Sequence, residues 1–214
     1  MGSSCCHDDC SSAGTPPGKS YRVVLWIALA INLGMFAVEV IASIISGSVS
    51  LQADALDFLG DAANYAVAVL VAGMALRWRA SAALLKGIVM AMFGLWVAGS
   101  TISHALHGTV PQAEITSGIG VVAFVANVTV AILLYRFRES DSQALSVWLC
   151  TRNDVIVNLC VIAAGAGVWA SSTHWPDIAV AAVIAALGLS SAVRVVRSAS
   201  KELLTIRNPS VSRA

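Results

Sequence analysis

Charge is what this sequence has least of. Only 12% of its 214 residues are Asp, Glu, Lys or Arg, where a soluble domain carries about 25%. So few charges cannot clothe a water-facing surface. With 57% hydrophobic residues and a mean hydropathy of +0.79, most of the chain must be solvated by lipid. Excess basic charge is also missing: the net charge of +1 gives nucleic acid nothing to bind. The length allows about six spans of roughly 20 to 25 residues and leaves no room for a second soluble domain.

Cysteine is scarce and unevenly placed. Cys5, Cys6 and Cys10 share a polar tail, whereas Cys150 and Cys160 lie in an apolar stretch. That clustering does not make a secreted disulfide framework and suits metal ligands better than cross-links. No Cys-x-x-Cys occurs, which argues against a thiol oxidoreductase, and no enzymatic activity is expected. The first 20 residues lack the apolar core of a signal peptide, and Cys6 stands where a myristoylation signal needs Ser or Thr. No internal repeat of 20 to 50 residues is seen.

Six apolar stretches remain, at about 22–45, 50–76, 82–107, 113–135, 143–171 and 175–197. Lipid cannot satisfy exposed backbone groups, so these stretches are expected to be helices. The breaks between them are short, so neighbours run antiparallel. Lys19, Arg22, Arg77, Arg79, Lys86, Arg136, Arg138 and the cluster from Arg194 to Arg213 then fall on one side, and only Arg152 does not. The first, third and fifth loops contain no Lys or Arg. The positive-inside rule places both termini in the cytoplasm. The expected fold is an all-α bundle of six transmembrane helices in the cell (inner) membrane. Residues 1–20 form a flexible cytoplasmic tail, 21–204 the membrane domain and 205–214 a short cytoplasmic tail. Small residues recur near i, i+4 spacing at Gly87, Ala91, Gly94 and Ala98, and cluster at Ala181, Ala182, Ala185 and Ala186. They let backbones approach, first of all within one bundle.

Three acids sit where lipid should be. At 100° per residue, Asp57 and Asp61 point about 40° apart and Asp54 falls within about 20° of Asp61, so the three line one stripe of the second helix. Intramembrane charges cost several kcal/mol unless paired, hydrated or bound to an ion, and a divalent cation would convert this stripe into a site. The fifth helix offers Cys150 and Asp154 at i, i+4, with Asn158 one turn further. Two helices that each present two ligands one turn apart can close a four-coordinate site of the zinc type. A thiolate biases such a site toward Zn²⁺ or Cd²⁺ over Mg²⁺ or Ca²⁺. Arg152 points away from Cys150 and Asp154, toward Glu39 of the first helix or toward the cytoplasmic surface. Cys160 reads as a small core residue.

At these residues the sequence resembles the cation diffusion facilitator family. The run from Gly47 through Asp54 and Asp57 to Asp61 is similar to that family's second-helix motif, which has His or Asp, three residues, then Asp. Cys150-Thr-Arg-Asn-Asp154, followed by Asn158, stands in the place of its fifth-helix motif, usually His, three residues, then Asp. Trp175-Pro-Asp177 and the Arg-rich exit through Arg194 and Arg197 are also similar, and the likeness spans about residues 20 to 204. It implies efflux of Zn²⁺ or related ions in exchange for protons, usually by a homodimer, with no permanently bound cofactor. Carried over by position, the ligands are Asp57, Asp61, Cys150 and Asp154. Cys150 replaces the usual His, which bears on selectivity. The chain ends about ten residues after the sixth helix, so a short form without the family's cytoplasmic C-terminal domain is expected.

Before the first helix, Cys5-Cys6-His7-Asp8-Asp9-Cys10 packs soft ligands ahead of a Gly/Ser/Pro linker. Such a tract can capture metal without a fold, and cytoplasmic thiols stay reduced. The alternative reading is a metal channel or importer to which this tail delivers a soft metal. His104, His107 and His174 lie at the outer ends of helices and read as hydrated. Asp177 reads as a helix N-terminal cap, and Trp26, Trp78, Trp148, Trp169 and Trp175 as interfacial anchors.

Overall fold

The structure is a computed structural model that describes residues 18–70, 75–137 and 142–207. The tail residues Cys5, Cys6, His7 and Cys10 lie outside the described residues, as does the side chain of Cys150. The described chain is all helical: α1 Lys19–Ser46, α2 Val49–Leu70, α3 Leu76–His107, α4 Ala113–Tyr135, α5 Ser142–Ser171 and α6 Trp175–Arg207. Several boundaries differ from the sequence reading, among them the end of the second span, expected near residue 76, which the structure places in α3. α3 begins at Leu76 rather than near residue 82, and α6 continues to Arg207, because polar and basic side chains at a span's end do not interrupt a helix whose backbone bonds are internal.

Five of the helices are long and apolar enough to cross a membrane, and α2 is not among them. The reason is its own chemistry, since every 18-residue window of α2 contains Asp54, Asp57 and Asp61. α2 avoids lipid by packing against α1, α3, α5 and α6. All residues from Val49 to Leu56 are buried. The bundle is apolar outward and polar inward. Ile41, Ile44, Met92, Leu95, Ile102 and Ile132 are exposed, while Asn32, Glu39, Asp54, Asn127 and Asn158 are almost fully buried. A water-soluble domain is arranged the other way round, and this inversion needs a lipid solvent.

Close backbone approach joins the helices in pairs. A Cβ on Gly87 of α3 would lie 2.8 Å from the Val196 side chain of α6, and Gly94 faces Leu189 at 3.6 Å. The small residues of α3 therefore serve packing inside the bundle. Between α4 and α5 a Cβ on Gly165 would meet the Ser117 hydroxyl and stand 2.8 Å from the Ser117 backbone nitrogen, so only glycine lets these two helices approach so closely.

At the end of the bundle where α1 and α2 join, Gly47 adopts φ 70°, a left-handed cap whose N–H bonds Ser43 O. Gly takes this conformation without steric cost, and the chain reverses within two residues. Asp177, read as a cap, does cap a helix, but not its own. Its carboxylate accepts from Ser48 Oγ at 2.6 Å, Val49 N at 2.8 Å and Ser50 N at 3.3 Å, all at the start of α2. Ser48 Oγ also accepts from Leu51 N at 3.2 Å. α6 thus anchors the N-terminus of the acid-bearing helix, where carboxylates are favoured by the helix dipole.

Candidate metal-ion site

The antiparallel pairing of α2 with α5 is held by polar rungs. Nearest the capped end, Asn158 Nδ2 donates to both oxygens of Asp54 at 3.1 and 3.0 Å. Asn158 Oδ1 in turn accepts from Asn127 of α4 at 2.9 Å. Farther along, Tyr65 and Thr151 share a 2.8 Å hydroxyl bond. Between these rungs the carboxyls of Asp61 and Asp154 come within hydrogen-bonding reach of each other, with Tyr65 and Asn64 beside Asp61. Carboxylates brought this close repel unless a cation or a proton stands between them.

Asp57, Asp61 and Asp154 all line one cavity of about 130 Å³ enclosed by α2, α3, α5 and α6. That volume exceeds what one water needs and accommodates an ion with part of its hydration. The floor and walls are apolar, from Leu56, Met90, Val157 and Ile184. The lining continues through the half-buried Asn64, Lys86 and Asn153. These lie toward the end of the bundle that carries Arg77, Arg79 and Arg194.

The sequence-predicted residues thus divide. Asp57, Asp61 and Asp154 share the cavity, whereas Asp54 and Asn158 are bonded to each other beside it and are not in its lining. Asp54 also meets the Glu39 carboxyl of α1. Glu39 is fully buried, and neither of its oxygens receives a bond from an N–H or O–H group of the described residues. Arg152 does not pair with Glu39. It is exposed and its guanidinium lies 5.6 Å from the centre of the Trp148 ring, because α1 and α5 are separated by α2 and α4. Cys160 is exposed rather than in the core. His104 bonds Ser100 O at 3.0 Å within its own helix, and His174 stacks on Trp175.

Among the polar residues of the cavity lining, Asn64, Lys86, Asn153 and Ser191 are not singled out by sequence. Asn64 follows Asp61 by three positions and Asp57 by seven, so it extends the same helical stripe, a signal that was there to be used. Asn153 immediately precedes Asp154. Lys86 reads as a residue flanking a loop only while α3 is taken to start near residue 82. Once the helix begins at Leu76, Lys86 stands ten residues inside it, about 15 Å along the axis, and its ammonium donates to Asn64 Oδ1.

Among the described residues no three His, Cys, Asp or Glu side chains are already drawn together around one point. The acids are instead distributed along the cavity wall, two in contact and the third one turn away. Such a wall can receive a divalent cation by drawing in carboxylates from two helices at once, which makes ion occupancy and helix position interdependent. No curated protein sequence matches the chain. The family model for the cation efflux transmembrane domain matches residues 25–204, a range that reaches into all six helices and includes all the acids described above. On that match, the chain belongs to the cation efflux family of membrane transporters, the cation diffusion facilitators.

Proposed function

We propose that the protein exports a divalent transition-metal cation of the Zn²⁺ or Cd²⁺ type from the cytoplasm across the inner membrane in exchange for protons. It does so by alternating access through six spanning helices with both termini cytoplasmic. The transport ligands are Asp57, Asp61, Cys150 and Asp154. The observation that carries this reading is the meeting of the Asp61 and Asp154 carboxyls, from two different helices, in a cavity that Asp57 also lines. The polar end of that cavity lies toward the basic end of the bundle, which the positive-inside rule assigns to the cytoplasm, the side from which an exported ion arrives.

Metal ligands must be deprotonated to bind, so ion capture releases protons and protons on the far side displace the ion. A proton gradient directed inward then drives metal outward. In proteoliposomes, Zn²⁺ and Cd²⁺ flux is expected to rise when the compartment receiving the metal is acidified, and to fall when that gradient is reversed. Flux indifferent to the gradient would instead fit a metal channel.

Cys150 makes a second test. A thiolate favours softer ions than an imidazole does. Cys150→His is expected to shift preference from Cd²⁺ toward Zn²⁺ by about tenfold, measured as the ratio of initial fluxes for the two ions. An unchanged ratio removes Cys150 from the ligand set.

A further inference from the structure

The cavity that holds the acids also holds a cation of the protein's own. Lys86 is the one charged side chain of α3 between Arg79 and His104. It lines the same cavity as Asp57, Asp61 and Asp154, donates to Asn64 Oδ1, and acts electrostatically on Asp61. An ammonium this far inside an apolar helix is costly and marks function by default. Its backbone is pinned, because the adjacent Gly87 packs directly against Val195 and Val196 of α6. Its four-carbon stem remains flexible. The head group can therefore move between Asn64 and the acids one turn away while the helix stays still.

We infer that Lys86 is a tethered counter-cation, whose ammonium occupies the acidic cavity in the absence of metal and must be displaced by the transported ion. This rests on the transport-site reading above and adds a determinant of affinity and valence to it. A tethered group competes at an effective concentration in the millimolar range or above. A free monovalent cation has the same charge and no tether, so it loses that competition. A divalent ion has twice the Coulomb energy at a given distance and wins. The ammonium also gives the acids a cation to return to when the metal leaves, which favours release.

The test is Cd²⁺ titration by calorimetry on the detergent-solubilised full chain. Cys5, Cys6 and Cys10 are changed to Ser so that the tail does not contribute. Lys86→Gln and Lys86→Met are expected to bind Cd²⁺ about tenfold more tightly or better, the loss of one repelling unit charge nearby, and K⁺ at about 0.1 M, a physiological ionic strength, should now weaken the binding. Lys86→Arg keeps the charge and should keep the unmodified affinity. Equal or weaker Cd²⁺ binding by the uncharged variants overturns the inference. Asp61→Asn, titrated alongside, separates the two readings. If it abolishes binding while Lys86→Gln changes nothing, only the role of Lys86 fails; if it binds normally, the transport site itself is wrong. Should the uncharged variants not fold, amine modification of Lys86 in the otherwise unaltered chain decides. Cd²⁺ is expected to raise its reactivity as the ammonium is released from the acids, and an unchanged rate overturns the inference.

Discussion

Asp61→Asn and Asp154→Asn are each expected to lower metal flux by about 100-fold or more, beyond the 10–100-fold typical of changes to groups that merely support a ligand. The substitution is isosteric, so the cavity keeps its shape and the apolar walls from Leu56, Val157 and Ile184 keep their packing. What disappears is one anionic oxygen pair from a site where carboxylates of two helices meet. An amide oxygen is a weaker ligand for a zinc-type ion than a carboxylate, and it releases no proton on binding, so coupling is lost together with affinity. The measurement is Zn²⁺ uptake into proteoliposomes under a fixed pH gradient, with thermal unfolding recorded on the same preparations. Normal flux from either variant would remove that residue from the site. Loss of flux with an unchanged melting temperature would separate a transport defect from a folding defect.

Asp54→Asn gives the internal contrast. Asp54 stands on the same helix but is engaged by Asn158 and Glu39 outside the cavity lining. Its loss should act first on the packing of α1, α2 and α5, through the rung that runs from Asp54 to Asn127. The difference in role follows from direction. Asp54 and Asp57 point about 60° apart around the helix, and because α2 is surrounded by neighbours that angle is enough to hand one to α1 and α5 and the other to the cavity.

This explains how far the sequence could be read. Periodicity and the segregation of basic residues identify six helices, since a span is a local property of some 20 residues and lipid permits few alternatives. The i, i+4 spacings of Asp57 with Asp61 and of Cys150 with Asp154 mark the faces of α2 and α5 that the structure turns toward one another at Asp61 and Asp154. A stripe on a helical wheel does not say which neighbour each member meets, so the spacing alone groups Asp54 and Asn158 with the ligands, and only the family resemblance sets them apart. Lys86 was missed because a six-residue difference in where α3 begins changes it from a flanking residue to one about three turns inside. For Arg152 the sequence leaves open Glu39 of α1 or the surface, and the exposed side chain takes the second course, since contact between helices is a property of the whole bundle.

Asp177 is the clearest case of a long-range device, and its removal should have the largest effect on stability. Its carboxylate is the acceptor for two hydroxyls and two backbone N–H groups of Ser48, Val49 and Ser50, a segment 127 to 129 residues away in the chain. Asp177 is 1% exposed and Ser48, Val49 and Ser50 are 0% exposed, so water cannot replace the lost bonds without opening the helix ends. Each buried donor left without an acceptor costs about 1–3 kcal/mol. Partial relaxation keeps the total below the sum, and Asp177→Ala is expected to destabilise the bundle by about 3–5 kcal/mol, the range found when one partner of a buried charged interaction is removed. Asp177→Asn retains one carbonyl acceptor and should recover part of that loss. Thermal unfolding in detergent reads both variants, and a melting temperature for Asp177→Ala equal to that of the unmodified chain would show that α2 does not depend on this cap. The effect should reach transport as well. α2 carries Asp57 and Asp61, and its first turn is held to α6 by this carboxylate, so a loosened cap shifts the acids relative to Asp154. Residual flux in the folded fraction of Asp177→Ala should therefore fall along with stability, whereas Asp61→Asn loses flux alone.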